Sequence, residues 1–239
     1  MKYNVDYSSS ATSKKAKLGT IEADASGMNG VFTEEKLRGH RILDKLLQFE
    51  FETVLDVGAG SFDHSKEFIK DGKTVDAVDF GESVYYEAEN TNGVRNLYIG
   101  DFNTIDIPEI YDTVWCSHIL EHQLNVNIFL KKVRSLIKDG GYLGIVVPPR
   151  KPFIVGGHLT VWNAGLLIYN LVMAGFDCSK ECRVLQYDYN IGLVLKKKNI
   201  EKFPDDLSMD KGDLEKLSNF FPFDIKHGFN GDILKLNWD

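Results

Sequence analysis

Residues 53–80 read TVLDVGAGSFDHSKEFIKDGKTVDAVDF, and the order of residue types in this stretch decides the fold. Thr53 to Val57 is a short apolar run of the kind that forms a buried strand, and the turn Gly58-Ala59-Gly60 follows it. A short helix is predicted from Asp63, and a second buried strand, Thr74 to Val78, closes on Asp79. This is half of a nucleotide-binding fold. Glycines at the C-terminal end of a strand let the backbone turn sharply and approach a ligand where a Cβ would collide. An acidic residue after the next strand, about 20 residues on, suits the two hydroxyls of a ribose.

In a dinucleotide fingerprint the third glycine would stand at position 63, where this chain has Asp63. A pyrophosphate wants the bare positive end of a helix, yet Asp56 and Asp63 flank the glycines. Negative charge there suits a cationic ligand with an amino group and a sulfonium, which points to S-adenosylmethionine. VLDVGAGSFDHS resembles the first motif of class I methyltransferases, Asp-x-Gly-x-Gly, and VDAVDF is similar to their second, which ends on the residue that holds the ribose. The resemblance implies a Rossmann-like α/β fold with a seven-stranded, mostly parallel sheet in the order 3-2-1-4-5-7-6 and helices on both faces. It implies S-adenosyl-L-methionine as cofactor and S-adenosyl-L-homocysteine as product. Carried onto this chain, it makes Asp56, Gly58, Ala59, Gly60 and Asp79 cofactor-binding residues. The family often has a third glycine where Phe62 stands, so a bulkier ligand-facing loop is expected here.

The 239 residues are 43% hydrophobic, enough to bury a core in one domain with appendages. The net charge of −7 gives no field for a phosphate backbone, which argues against nucleic acid. No run reaches the roughly 18 apolar residues of a membrane span, and MKYNVDYSSS lacks the apolar core of a signal peptide, so a cytoplasmic protein is expected. Cys116, Cys178 and Cys182 are expected to be free thiols.

Residues 1–32 are polar and aperiodic and read as an N-terminal arm; 33–196 read as the methyltransferase domain and 197–239 as a C-terminal extension packed on it. Thr33 is placed to cap a helix with Glu34 and Glu35 in its first turn and Leu43, Leu46 and Leu47 on its apolar face. After Asp79 a short helix is predicted over Gly81 to Glu89, then a strand from Val94 to Ile99 running into Gly100-Asp101-Phe102. The resemblance places at Asp101 an acceptor for the adenine amino group, with Phe80 and Phe102 beside the ring. The alternative is that Asp101 caps a loop and both phenylalanines are core.

Asp112 to Ser117 is the fourth strand and leads directly into His118-Ile119-Leu120-Glu121-His122. H-x-x-E-H is also a zinc-protease pattern, but that motif needs a long regular helix, whereas here it starts at a strand end. No metal is therefore expected. Ser117-His118-x-Leu120-Glu121-His122 instead resembles the region after the fourth strand of the methyltransferase family, with Ser117 facing the cofactor and His122 on the following helix. The helix carrying Val126 to Ile137 is expected to stop at Gly140-Gly141, and a fifth strand covers Tyr142 to Val147. The loop Arg150 to Thr160 returns to the ligand edge with His158, Arg150 and Lys151, and a helix follows from Trp162 to Ala174. A hairpin of Arg183 to Tyr189 and Ile191 to Leu195 closes the sheet, and a short helix is expected near Leu214 to Leu217.

GGHLTVWNAGLLIYNLVMAGFD and the terminal FNGDILKLNW resemble methyltransferases encoded with bacterial surface-polysaccharide genes. That implies O-methylation of a sugar or nucleotide-sugar hydroxyl. A base helps such a poor nucleophile, and histidine titrates in the right range. His118 or His158 is the expected base, with Glu121 orienting the imidazole. The tail aromatics suit docking on the domain or on a second subunit, so a homodimer stays open. Methylation of another small molecule, a non-catalytic cofactor-binding partner and a zinc hydrolase are the other readings.

Overall fold

The structure is a computed structural model that describes residues 37–151 and 153–239. The expected arm and the Thr33 cap with Glu34 and Glu35 lie outside the described residues. The first helix, α1 (His40–Leu46), starts after Gly39, whose left-handed backbone (φ 75°) breaks any helix arriving from Leu37. There follow β1 (Thr53–Val57), α2 (Asp63–Lys70), β2 (Thr74–Asp79), β3 (Val94–Ile99) and β4 (Tyr111–Ser117). The remainder is α3 (Val126–Ser135), β5 (Ile137–Val147), α4 (Ala164–Met173), β6 (Cys182–Tyr187), β7 (Asn190–Lys196), α5 (Asp213–Leu217) and β8 (Lys235–Leu236).

The strands form one sheet in the order β3-β2-β1-β4-β5-β7-β6-β8. The first five pair in parallel, while β7, β6 and β8 are antiparallel to their neighbours. Seven strands stand in the expected order, and the two-residue β8 extends the sheet beyond β6. Alternation along each strand divides the core between the two faces. Val54, Val75, Trp115 and Val146 pack with Leu43, Leu46 and Phe68 of α1 and α2. Leu55, Val57, Val114, Cys116 and Ile145 pack on the other face with Phe129, Leu130 and Val133 of α3 and Leu167, Ile168 and Leu171 of α4. Each such buried side chain stabilises by roughly 1.5–3 kcal/mol relative to exposure.

Asn125 and Asn163 start α3 and α4 by accepting from the amides of Ile128 and Leu166. Leu217 of α5, Phe221 and Ile225 join the core beside α4. All three cysteines are buried and free. No described helix is long and apolar enough to cross a membrane.

Two local expectations change. Gly81 to Glu89 is turn and extended chain, with one tight helical turn at Ala88–Asn90: Gly81 is left-handed (φ 81°) and the Ser83 hydroxyl accepts from the Tyr85 amide. Gly140-Gly141 does not end α3, which has already closed at Leu136. The pair lies inside β5, where the register against β4 jumps from Tyr111–Ile137 to Thr113–Tyr142. A Cβ on Gly141 would overlap the Asp112 carbonyl, so glycine is required by the bulge.

Candidate active site

The turn after β1 is fastened to the end of β2 by a carboxylate. Asp79 accepts from the Gly60 amide through Oδ2 and from the Gly81 amide through Oδ1, both at 2.9 Å. Gly58 and Gly60 are left-handed (φ 75° and 54°), and this conformation brings their amides round to the strand ends. Asp56 is buried under the same turn and accepts from the Ser65 hydroxyl at 2.6 Å. Burial raises its carboxyl from 3.8 to about 7; the Ser65 bond opposes the rise and the nearby Asp79 charge adds to it. A cation at this spot would favour the ionised form.

Phe62 does not bulk the ligand side of the loop. It is left-handed (φ 60°), which is why glycine serves there, but its ring is 0% exposed and packs against Ala59, Ala77 and Tyr86. Phe80, 59% exposed, stands at the ligand edge after β2. Phe102 takes the core alternative: it is 7% exposed, with its ring tilted against that of Phe129 at 5.0 Å. Asp101 Oδ1 accepts from the amide and the side chain of Asn103 and thereby caps its own turn.

Beyond β4 the backbone bends at His118, which is left-handed (φ 52°) without being glycine. Such conformations cost of order 1–3 kcal/mol and gather at functional sites. Ile119 then lies over the glycine turn, 3.0 Å from where a Gly58 Cβ would be, which joins this loop to the cofactor bay. The hydroxyl of Ser117 is buried and makes no hydrogen bond among the described residues. Leu120–His122 is a single tight turn, so His122 is not on α3 as expected, and His118 and His122 do not share a helix face.

What sequence spacing does not reveal is the company this turn keeps. His118 Nε2 lies 3.0 Å from Asn190 Oδ1, and its Nδ1 lies 3.3 Å from Glu121 Oε1. His158 arrives on the β5–α4 loop, its ring 5.1 Å from that of His122, with the Leu159 amide donating to the Glu121 carbonyl at 2.8 Å. Burial lowers the His158 pKa; Glu121 opposes this, while His122, His118 and Arg38 add to it. The cluster opens on a cleft of about 170 Å³ lined by Pro148, Arg150, Lys151, Phe153, Ile154 and His158. Glu121, His118 and His158 therefore meet, as the sequence implies, and Asn190 and Ile119 are the partners it did not suggest. Among the described residues the ligating atoms of Glu121, His122 and His158 fall within 4.8 Å of one another.

Residues 55–145 match a family model described as a methyltransferase domain. Malonyl-[acyl-carrier protein] O-methyltransferase of Buchnera aphidicola subsp. Baizongia pistaciae is 28% identical over 108 residues, which are 45% of this chain and 44% of that one. The match thus spans less than half of that relative's length. Among solved structures, the 1,6-didemethyltoxoflavin-N1-methyltransferase of Burkholderia thailandensis, with S-adenosylhomocysteine bound, superposes with a TM-score of 0.56 at 21% identity and 73% and 83% coverage of the two chains. Human N-acetylserotonin methyltransferase in complex with S-adenosylmethionine gives 0.54 at 16% identity, with 68% and 52% coverage. The fold is the class I methyltransferase fold.

Proposed function

We propose that this chain is an S-adenosylmethionine-dependent O-methyltransferase acting on a sugar or nucleotide-sugar hydroxyl in surface-polysaccharide assembly. One observation carries it: the bay formed by Asp56, the glycine turn and Asp79 adjoins, across Ile119, a cluster of imidazoles that opens on a cationic cleft. Asp79 holds the turn and keeps lone pairs for ribose hydroxyls. Asp56 and Ser117 face the methionine part, with Phe80 and Asp101 beside the adenine. Arg150 and Lys151 give an anionic acceptor such as a nucleotide diphosphate its counter-charges.

Transfer is an in-line displacement, in which the methyl–sulfur bond breaks with its electron pair left on sulfur as the new carbon–oxygen bond forms. The protein's main contribution is alignment and exclusion of water. The acceptor proton passes to an imidazole. His158 faces the cleft, whereas both nitrogens of His118 already face Asn190 and Glu121, so His158 is the base. A small-molecule carboxylate is the second reading for the acceptor, favoured by the name of the curated relative and by the same two cations. The reading also places the protein in the cytoplasm, with residues 1–32 as an arm and with dimerisation open.

Calorimetric titration with S-adenosylmethionine and S-adenosylhomocysteine tests the cofactor: wild type should bind both, and Asp79→Asn should bind on the order of 10–100-fold more weakly, since one hydrogen bond to a charged group is worth about 1.5–3 kcal/mol. Failure of wild type to bind either ligand refutes the proposal. Transfer of labelled methyl to nucleotide sugars, with malonyl thioesters in parallel, then separates the two acceptors.

A further inference from the structure

We infer that Glu121, His122 and His158 form a binding site for a divalent first-row transition-metal cation. Glu121 is 0% exposed, and neither of its carboxylate oxygens accepts a hydrogen bond among the described residues. A buried ionised carboxylate without donors is among the costliest arrangements in a protein. Its neighbours sharpen the problem. His122 Nδ1 lies 2.8 Å from the Gly157 carbonyl, an acceptor only, so the ring proton sits on Nδ1 and the Nε2 lone pair is left facing Glu121 Oε1 at 3.8 Å. His118 sets Nε2 3.0 Å from Asn190 Oδ1 and Nδ1 3.3 Å from Glu121 Oε1, and the neutral tautomer that donates to Asn190 turns its Nδ1 lone pair to the carboxylate. Two lone pairs directed at a buried carboxylate repel it unless positive charge lies among them.

A metal ion supplies that charge and accounts for the third imidazole. His158 brings a ring nitrogen within 4.8 Å of the ligating carboxylate oxygen of Glu121 and the ligating ring nitrogen of His122. Tetrahedral coordination at 2.0–2.2 Å spaces ligand atoms roughly 3.3–3.5 Å apart, so small side-chain rotations close the site. The outer groups are those a metal-bound histidine ordinarily has: the second nitrogen of His122 is held by a backbone carbonyl. The loop that carries His158 is pinned independently, as the Leu159 and Thr160 amides both donate to the Glu121 carbonyl. Two imidazoles and one carboxylate suit Mn²⁺, Fe²⁺, Co²⁺ or Zn²⁺ better than Mg²⁺ or Ca²⁺. Three protein ligands leave coordination positions open toward the cleft. The use of that opening rests on the methyltransferase reading: with the ion bound His158 is a ligand rather than the base, and a hydroxyl held at the open position would lose its proton to water more easily, its oxygen attacking the methyl group while sulfur keeps the bond pair.

The test uses the full chain, stripped with a chelator and titrated calorimetrically with Zn²⁺ and Mn²⁺, with Co²⁺ absorption reporting the coordination geometry. Wild type should take up one equivalent. His122→Ala, His158→Ala and the isosteric Glu121→Gln should each weaken binding on the order of 100-fold, whereas the exposed His227→Ala should not. Metal uptake no tighter in wild type than in His158→Ala overturns the site and leaves protonated imidazoles as the source of charge; His158 keeps this decisive because it sits on a partly exposed loop and can be changed without emptying the core. S-adenosylmethionine binding to the stripped protein is measured separately. Its absence defeats the methyltransferase reading while the metal stoichiometry stands, and turnover undiminished after stripping defeats the metal's part in the reaction.

Discussion

Replacing Phe62 by alanine and by glycine separates two opposed contributions at one residue. The ring is fully buried against Ala59, Ala77 and Tyr86, so truncation to alanine should cost about 3–5 kcal/mol. The backbone is left-handed (φ 60°), a conformation in which any Cβ is strained by roughly 1–2 kcal/mol and glycine is not. Alanine keeps that strain and glycine removes it, less the 0.4–1 kcal/mol that glycine's freedom in the unfolded chain takes back. Phe62→Gly should therefore be more stable than Phe62→Ala by about 0.5–1 kcal/mol, a reversal of the order in ordinary helix and strand positions. In a chain of this size the difference should appear as roughly 1–4 °C in the thermal midpoint. Urea melts of the three proteins, with S-adenosylmethionine titrations alongside, make the measurement. Because the ring points away from the cofactor bay, cofactor affinity of whichever variant remains folded should stay within about threefold of wild type, a difference of roughly 0.7 kcal/mol. Alanine equal to or better than glycine refutes the strain argument, and a large loss of affinity in a folded variant refutes the placement of the ring.

Three further outcomes are expected. Asp112 ties β4 to β1 and β5 through the amides of Glu52 and Thr53, the Thr53 hydroxyl and Lys138; burial alone would raise its carboxyl, but these bonds lower it from 3.8 to about 2. A depressed folded pKa contributes stability above the unfolded value and loses it on acidification, so Asp112→Asn should cost about 2 kcal/mol at pH 7 and nothing at pH 2, as read by denaturant melts. Asp56 has the opposite sign: with its folded pKa raised to about 7, ionisation opposes folding as pH climbs from about 4 to 7, and Asp56→Asn should gain stability over wild type at pH 8 but not at pH 4. Binding of the sulfonium should then release a proton near pH 6.5, seen as a dependence of calorimetric heat on buffer ionisation enthalpy; heats independent of buffer would contradict it. Gly192→Ala would place a Cβ inside Ile42 of α1, and overpacking of this kind should lower stability by about 1–3 kcal/mol in the same melts.

The cofactor half of the molecule was legible because its signals are local. A β-branched run, two glycines and an acidic residue at fixed spacing specify strand, turn and strand with little help from the rest of the chain. Local spacing misled where long-range packing decides. Gly140-Gly141 looks like a helix stop, yet its glycine is needed because the Asp112 carbonyl approaches from the neighbouring strand. Phe62 looked like an obstruction because sequence does not say which way a left-handed residue directs its ring. Phe102 follows a strand as ligand-facing aromatics do, but it is taken by Phe129 from α3. The cluster around Glu121 was half visible: His118, Glu121 and His122 are one motif, but His158 comes from the β5–α4 loop and Asn190 from the start of β7, 36 or more residues away, joined by backbone bonds beside His158 and a side-chain contact at Asn190 that no pattern encodes.

The sheet also bears on how the protein avoids its own kind. Among the described residues one margin is β8, only two residues long, and the other is β3. A register shift at Val75/Asp76 skews β3 against its neighbour, and Arg95, gripping Asp76 and Glu109, sets charge along that margin. Neither margin offers another molecule a long, flat, uncharged row of open amides and carbonyls. Crowded or partly denatured chains should therefore find few places to begin stacking into fibres, even with an interior as rich in valine, leucine and isoleucine as this one.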